Sequence, residues 1–203
     1  SEIMQKYPVT IWNSVPQIFQ LYIDNTKSKS NSLRLALLSG DWIPVDLPKK
    51  AKDTFENVDI ISLGGATEGS IWSIYYPIKS VNNEWTSIPY GYPLANQSMH
   101  ILDFKGRHCP VGVNGEIYIG GDGVAMGYLN DPEKNKIHFI NHQKLGKIYR
   151  TGDYGYMSGN GYIIFTGRKD AQIKLNGYRV ELGEIENKIS KYNGISAAVA
   201  DVS

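Results

Sequence analysis

The chain has 203 residues, enough for one good-sized domain or one domain with a small appendage. With 21 Lys+Arg against 20 Asp+Glu, no net field draws it to nucleic acid or anionic lipid. A single cysteine, Cys109, excludes an internal disulfide framework and a cysteine-built metal cage, and points to a reducing cytoplasm.

In chain order, Val9 to Trp12 favours a short strand, and Ser14 with Pro16 reads as the cap and first turn of a helix. That helix would carry Val15, Ile18, Phe19 and Tyr22 on one face. Leu33 to Leu38 is an apolar run of buried-strand length, ended by Ser39-Gly40-Asp41. Leu47, Ala51 and Phe55 recur at helical spacing, and Val58 to Leu63 is the next strand, ended by Gly64-Gly65-Ala66-Thr67-Glu68-Gly69. This alternation predicts a parallel α/β unit, in which ligands gather just past the carboxyl ends of the strands. Asn13, Ser39 and Gly64 to Glu68 fall at those ends.

From about Thr86 to Phe165 short strands alternate with turn signals such as Lys105-Gly106, Asn114-Gly115 and Gly120-Gly121-Asp122-Gly123. That spacing predicts a small antiparallel β-barrel or sandwich layer. Thr166 to Asp170 reads as a linker, and Ile173 to Val180 as a hairpin about Asn176-Gly177, with Ile173 facing Val180 and Leu175 facing Tyr178. A helix over Gly183 to Tyr192 and a strand over Ala197 to Val202 complete the pattern. No apolar run reaches the ~18 residues of a membrane span, and no signal peptide is evident at Ser1-Glu2-Ile3-Met4. The two ends read as those of a trimmed chain.

Taken singly, the candidate motifs are weak. Gly64 to Glu68 can cradle a phosphate with backbone amides and the Thr67 hydroxyl, or can be a glycine-rich turn with a surface glutamate. Tyr149-Arg150-Thr151-Gly152-Asp153 reads as a polar loop in which Asp153 either takes ribose hydroxyls or closes an Asx turn. His100, His108, His138 and His142 lack metal-ligand spacing, and no Gly-x-Ser-x-Gly elbow occurs.

Order and joint occurrence carry more. Ala66-Thr67-Glu68, the run Gly115 to Tyr128, Tyr149 to Asp153, Gly167 to Lys174, and Gly177 to Glu186 together resemble the later core motifs of nonribosomal peptide synthetase adenylation domains. The resemblance implies a fold made of part of a parallel α/β subdomain (1–85), a β-barrel (86–167), and the hinge and start of a mobile α+β C-terminal subdomain (168–203). It implies ATP/AMP and magnesium as ligands, an amino-acid substrate, and a carrier bearing phosphopantetheine beside condensation or cyclisation domains. In its terms Thr67 contacts phosphate and Glu68 holds magnesium, within the loop Gly64, Gly65 and Ala66. Asp153 and Arg168 meet the nucleotide sugar, Asp170 is the hinge, and Gly177 lets the pantetheine arm pass.

Two departures from the pattern stand out. Gly64 occupies the place where many relatives have a tyrosine stacking on adenine. The family's early phosphate loop and its late Pro-x-Gly-Lys segment are missing from these 203 residues, so the chain by itself is expected to form no aminoacyl-adenylate. The positions at which the family reads its substrate are Asn13, Leu37, Ser39, Leu63, Ile71 and Trp72. This set resembles cysteine-activating domains of yersiniabactin- and pyochelin-type assembly lines, with serine or another small residue as the alternative. Those modules often carry a tailoring domain inserted beyond the stretch matching Gly177 to Glu186, and the same is expected here. An acyl- or aryl-acid ligase of the same superfamily, or a non-catalytic nucleotide- or carrier-binding remnant, are the competing readings.

Overall fold

The computed structural model describes residues 2–26, 32–82, 84–168, 172–175, 178–189, 191–192, 195 and 198–200. A short helix α1 (Glu2–Lys6) precedes strand β1 (Ile11–Ser14). Pro16 then opens helix α2 (Pro16–Asn25), where its missing N–H costs nothing in the first turn. Val15, extended at ψ 151°, takes the cap position that the sequence assigns to Ser14. The Ser14 hydroxyl is engaged in the strand instead, donating to Val15 O at 2.8 Å and accepting from the Trp12 indole at 2.7 Å. The helix is also turned relative to expectation: Phe19 and Ile23 are buried one turn apart, whereas Ile18 is 55% exposed.

Strand β2 (Leu35–Ser39), helix α3 (Leu47–Thr54) and strand β3 (Asp59–Gly64) follow. Leu47, Ala51 and Phe55 are fully buried at the predicted spacing. β1, β2 and β3 pair in parallel, and β4 (Ile74–Pro77) and β5 (Tyr92–Pro93) extend the sheet antiparallel. Because successive side chains point to opposite faces, this sheet has two distinct sides. Ala36, Leu38 and Ile60 pack with Phe19, Leu47 and Phe55 in the main core, where the Phe19 and Phe55 rings stack with centroids 6.1 Å apart. The register pairs Asn13 with Leu37, Leu37 with Ile61, and Ser39 with Leu63, so these five residues share the opposite side.

The second sheet is antiparallel, as the turn signals predict. It comprises β6 (Gln97–Leu102), β7 (Gly115–Gly121), β8 (Phe139–His142), β9 (Gly146–Met157) and β10 (Ile163–Arg168). Its order is β10-β9-β7-β6, with β8 on β9, and helix α4 (Pro132–His138) leads into β8. The Asp131 carboxylate caps that helix by accepting from Lys134 N at 3.0 Å. The predicted barrel does not close among the described residues. The outer edge of β10 is taken by Gly91, which exchanges backbone hydrogen bonds of 3.1 and 2.8 Å with Ile163, and the end of β6 bridges His108. Ile74 of the first sheet is buried with Met99, Ile117, Ile119, Tyr149 and Ile163 of the second, so one core joins the two.

Strands β11 (Gln172–Leu175) and β12 (Tyr178–Glu181) pair in the predicted register, Ile173 with Val180 and Leu175 with Tyr178, and helix α5 (Leu182–Ile189) follows. Asp170 and the Asn176-Gly177 tip lie outside the described residues. Ala198 to Ala200 have no strand structure, and the rest of the strand expected there also lies outside them. Among the described residues no helix is long and apolar enough to cross a membrane.

Candidate functional site

Asp153 is aimed by an irregularity in the sheet rather than by a loop. On β7 and β9, Glu116 faces Tyr154 and Tyr118 faces Arg150, so Thr151, Gly152 and Asp153 together oppose Ile117 alone. Gly152 absorbs the bulge with φ +76°. The Thr151 hydroxyl pins it, donating to Ile117 O at 2.7 Å and accepting from Asp153 N at 2.9 Å. The polar run Tyr149 to Asp153 is therefore strand, not the loop that its composition suggests. Its Arg150 is satisfied by a two-pronged ion pair to Glu116, with contacts of 2.8 and 2.9 Å.

Arg168 is aimed in the same way from the neighbouring strand. Thr166 and Gly167, read from sequence as the start of a linker, continue β10. The β9–β10 register slips between Phe165 and Gly167, with Gly167 at φ +133°. That extra residue brings Phe165 and Arg168, three positions apart, to the same cleft, which regular alternation forbids. Arg168 is the register partner of Asp153, and its Nη1 meets Asp153 Oδ1 at 2.5 Å with both side chains largely buried.

The cleft these residues line has a volume of about 550 Å³. Of the sequence-predicted residues, Ser39, Leu63, Gly64, Gly65, Ile71, Trp72, Asp153 and Arg168 line it. Asn13 and Leu37 lie on the same sheet face one step further along but are not part of the lining. Ala66, Thr67 and Glu68 are likewise outside the lining, in a tight turn that continues from it.

Backbone hydrogen bonds close this turn: Ile71 N to Ala66 O at 3.0 Å and Ser73 N to Gly64 O at 2.8 Å. Gly65, at φ +144°, has no room for a side chain, since a Cβ would lie 2.7 Å from both Ile71 O and Ser73 N. Ile71 itself sits at φ +70°, a strained conformation for a β-branched residue. Glu68, 9% exposed, accepts a 2.5 Å hydrogen bond from the Tyr128 hydroxyl, and its own carbonyl accepts from Ala125 N at 2.8 Å. Burial first, and then the Glu68 carboxylate, push the Tyr128 phenol well above its ordinary range, so it stays a donor.

The motif Gly115 to Tyr128 includes Tyr128 but gives no sign of its contact with Glu68, and the sequence gives no sign of the aromatic side of the cleft, formed by Trp42, Tyr90 and Phe165. The Phe165 ring lies 5.0 Å from that of Trp42 and 5.7 Å from that of Tyr90, centroid to centroid. These three residues come from three separate segments with no shared spacing. The one available signal was glycine: Gly91, at φ +116°, follows Tyr90 directly.

The family model described as AMP-binding enzyme matches residues 1–129. The chain belongs to the AMP-binding enzyme family. Within it, the likeness is to the adenylation regions of nonribosomal peptide synthetases. The chain is 57% identical over 201 residues to bacitracin synthase 1 of Bacillus licheniformis, covering 97% of the chain and 4% of that protein. It is 42% identical over 206 residues to pyochelin synthetase PchF of Pseudomonas aeruginosa, covering 100% of the chain and 11% of that protein. Among solved structures, IdnL1 superposes with a TM-score of 0.90 at 25% identity over 98% of this chain and 43% of its own. The nonribosomal peptide synthetase FmoA3 in its alpha-methyl-L-serine-AMP bound form gives 0.80 at 39% identity, over 84% of the chain and 20% of its own. The chain thus spans a small part of the synthetases it matches.

Proposed function

We propose that this chain supplies part of an adenylation site that joins an amino-acid carboxylate to the α-phosphate of ATP, releasing pyrophosphate. The aminoacyl group then passes to the phosphopantetheine thiol of a carrier domain, with condensation or cyclisation domains as further partners. The observation that carries this reading is convergence. The Asp153–Arg168 pair and the Ser39, Leu63 and Trp72 side chains line one cleft, giving a polar end suited to ribose hydroxyls and a short, mostly apolar end suited to a small side chain.

Asp153 would accept from the sugar hydroxyls while Arg168 holds its carboxylate in place. The Glu68 carboxylate is a hard oxygen donor that suits magnesium, and the neighbouring Thr67 hydroxyl would contact phosphate. Magnesium would be held there by that one carboxylate together with nucleotide phosphates and water. When bound, magnesium offsets the charge of the phosphates. Tyr128 fixes the Glu68 carboxylate from the other side.

For the amino acid we propose L-cysteine. The Asn13, Leu37, Ser39, Leu63, Ile71 and Trp72 set resembles the pockets of cysteine-activating domains, and the likeness to pyochelin synthetase supports that choice. The hinge role of Asp170, the pantetheine passage at Gly177, and the division into 1–85, 86–167 and 168–203 belong to the same proposal. The test is amino-acid-dependent exchange of pyrophosphate into ATP by the full-length protein. Cysteine should head the panel of substrates, and the 203-residue chain alone should be inactive. Exchange led by serine would replace the amino acid, and exchange led by aryl or fatty acids would replace the function.

A further inference from the structure

Gly64 and Tyr90 are complementary. A Cβ at Gly64 would fall 2.1 Å from Tyr90 Cε2 and 2.9 Å from Cδ2, so the Tyr90 ring fills the space where a side chain at position 64 would begin. Tyr90 is held there from both sides. Ile88 and Pro89 before it are buried, and Gly91 after it is bridged to Ile163 by two backbone hydrogen bonds. Gly91 also approaches β4 so closely that a Cβ would lie 2.0 Å from Tyr75 O. The ring borders the same cleft as Asp153 and Arg168 and continues into Phe165 and then Trp42.

From this geometry we infer that Tyr90, backed by Phe165, is the surface on which the purine base of the nucleotide stacks, so that a residue 26 positions downstream stands in for a side chain at position 64. The inference rests on the nucleotide reading of the cleft given above. Its physical basis is that a planar base needs an apolar, flat and rigid partner, and a ring locked by its backbone neighbours presents one without an ordering cost. The sugar contacts at Asp153 and the base contact at Tyr90 would then adjoin within one cleft. The Gly64 position is small because Tyr90 occupies its volume, and the two sites are expected to vary together: glycine with tyrosine, or a large residue at 64 with a small one at 90.

The experiment is a swap in the full-length protein, measuring binding of AMP and of ribose 5-phosphate by titration calorimetry. Tyr90→Ala should weaken AMP by on the order of tenfold or more, while leaving ribose 5-phosphate, which has no base, unchanged. Tyr90→Phe should retain AMP affinity. Gly64→Tyr alone should fail through its clash with Tyr90, and Gly64→Tyr combined with Tyr90→Ala should recover most of the AMP affinity lost by Tyr90→Ala. The double variant keeps the inference falsifiable if either single variant folds poorly. Unchanged AMP binding in Tyr90→Ala, or equal losses for AMP and ribose 5-phosphate, would overturn the inference and leave the nucleotide reading standing. Failure of the unsubstituted protein to bind AMP would remove both.

Discussion

Asp153 and Arg168 face each other across β9 and β10 with 2.5 Å between Oδ1 and Nη1, and each reaches that position through a bulge in its own strand. A side chain that follows a bulge is displaced from regular alternation, so two separate irregularities are needed for this one contact. The pair sits where solvent screening is weak, with the two side chains 14% and 11% exposed. Removing one partner leaves the other charge poorly solvated. Arg168→Ala is expected to destabilise the protein by about 3 kcal/mol, near the low end for a broken buried pair. Arg168→Lys, which keeps the charge and loses the planar fork, should cost less. Chemical denaturation midpoints of the two variants against the parent check both the size and the order.

This pair also shows what was legible in the sequence and what was not. The parallel strands β1, β2 and β3 and the hairpin β11–β12 follow from local signals: apolar runs of strand length and an Asn-Gly turn flanked by alternating residues. The run Tyr149 to Asp153 looked like a loop because it is polar and contains glycine, yet its charge is neutralised across the sheet by Glu116, a residue 34 positions away from Arg150. Such pairing has no local signature. Ser14 looked like a helix cap because cap residues are recognised by type, whereas its hydroxyl was already committed to Trp12 and Val15. Tyr90, Phe165 and Trp42 became visible as a group only once Gly91 had tied β10 to the first sheet.

Ile71 gives a second prediction. It holds φ +70° while 67% exposed, so it pays conformational strain with little burial in return. Ile71→Gly should therefore be neutral or stabilising, gaining up to about 1 kcal/mol once the added freedom of glycine in the unfolded chain is set against the relieved strain. The same change should broaden amino-acid selection, since Ile71 borders the cleft. Thermal unfolding and a substrate panel, run on one preparation, read the two effects separately. Marked destabilisation would show that the strain is compensated by contacts the side chain makes.

His100 gives a pH dependence. Burial first, and then the neighbouring His108 and His142, hold its imidazole below the ordinary value of 6.5. Its ring joins Ser98 at 2.9 Å and His108 at 3.2 Å, an arrangement that favours the neutral form. The unfolded chain takes up the proton at a higher pH than the folded one. Stability is therefore complete above about pH 6.5 and falls as the pH drops from there toward the folded value, with the unfolded state binding up to one more proton. Replacing His100 by Gln should flatten that slope below about pH 6.5 while leaving stability near pH 8 less affected. Denaturation midpoints across this range measure it.

One cleft should hold both nucleotide and amino acid. The decisive measurement is pyrophosphate exchange by the full-length protein with and without Asp153→Ala. Exchange should depend on L-cysteine and fall by at least about a hundredfold in the variant, as for loss of a charge-assisted contact that orients the reacting nucleotide. Cysteine-dependent exchange that survives Asp153→Ala unchanged would contradict this expectation.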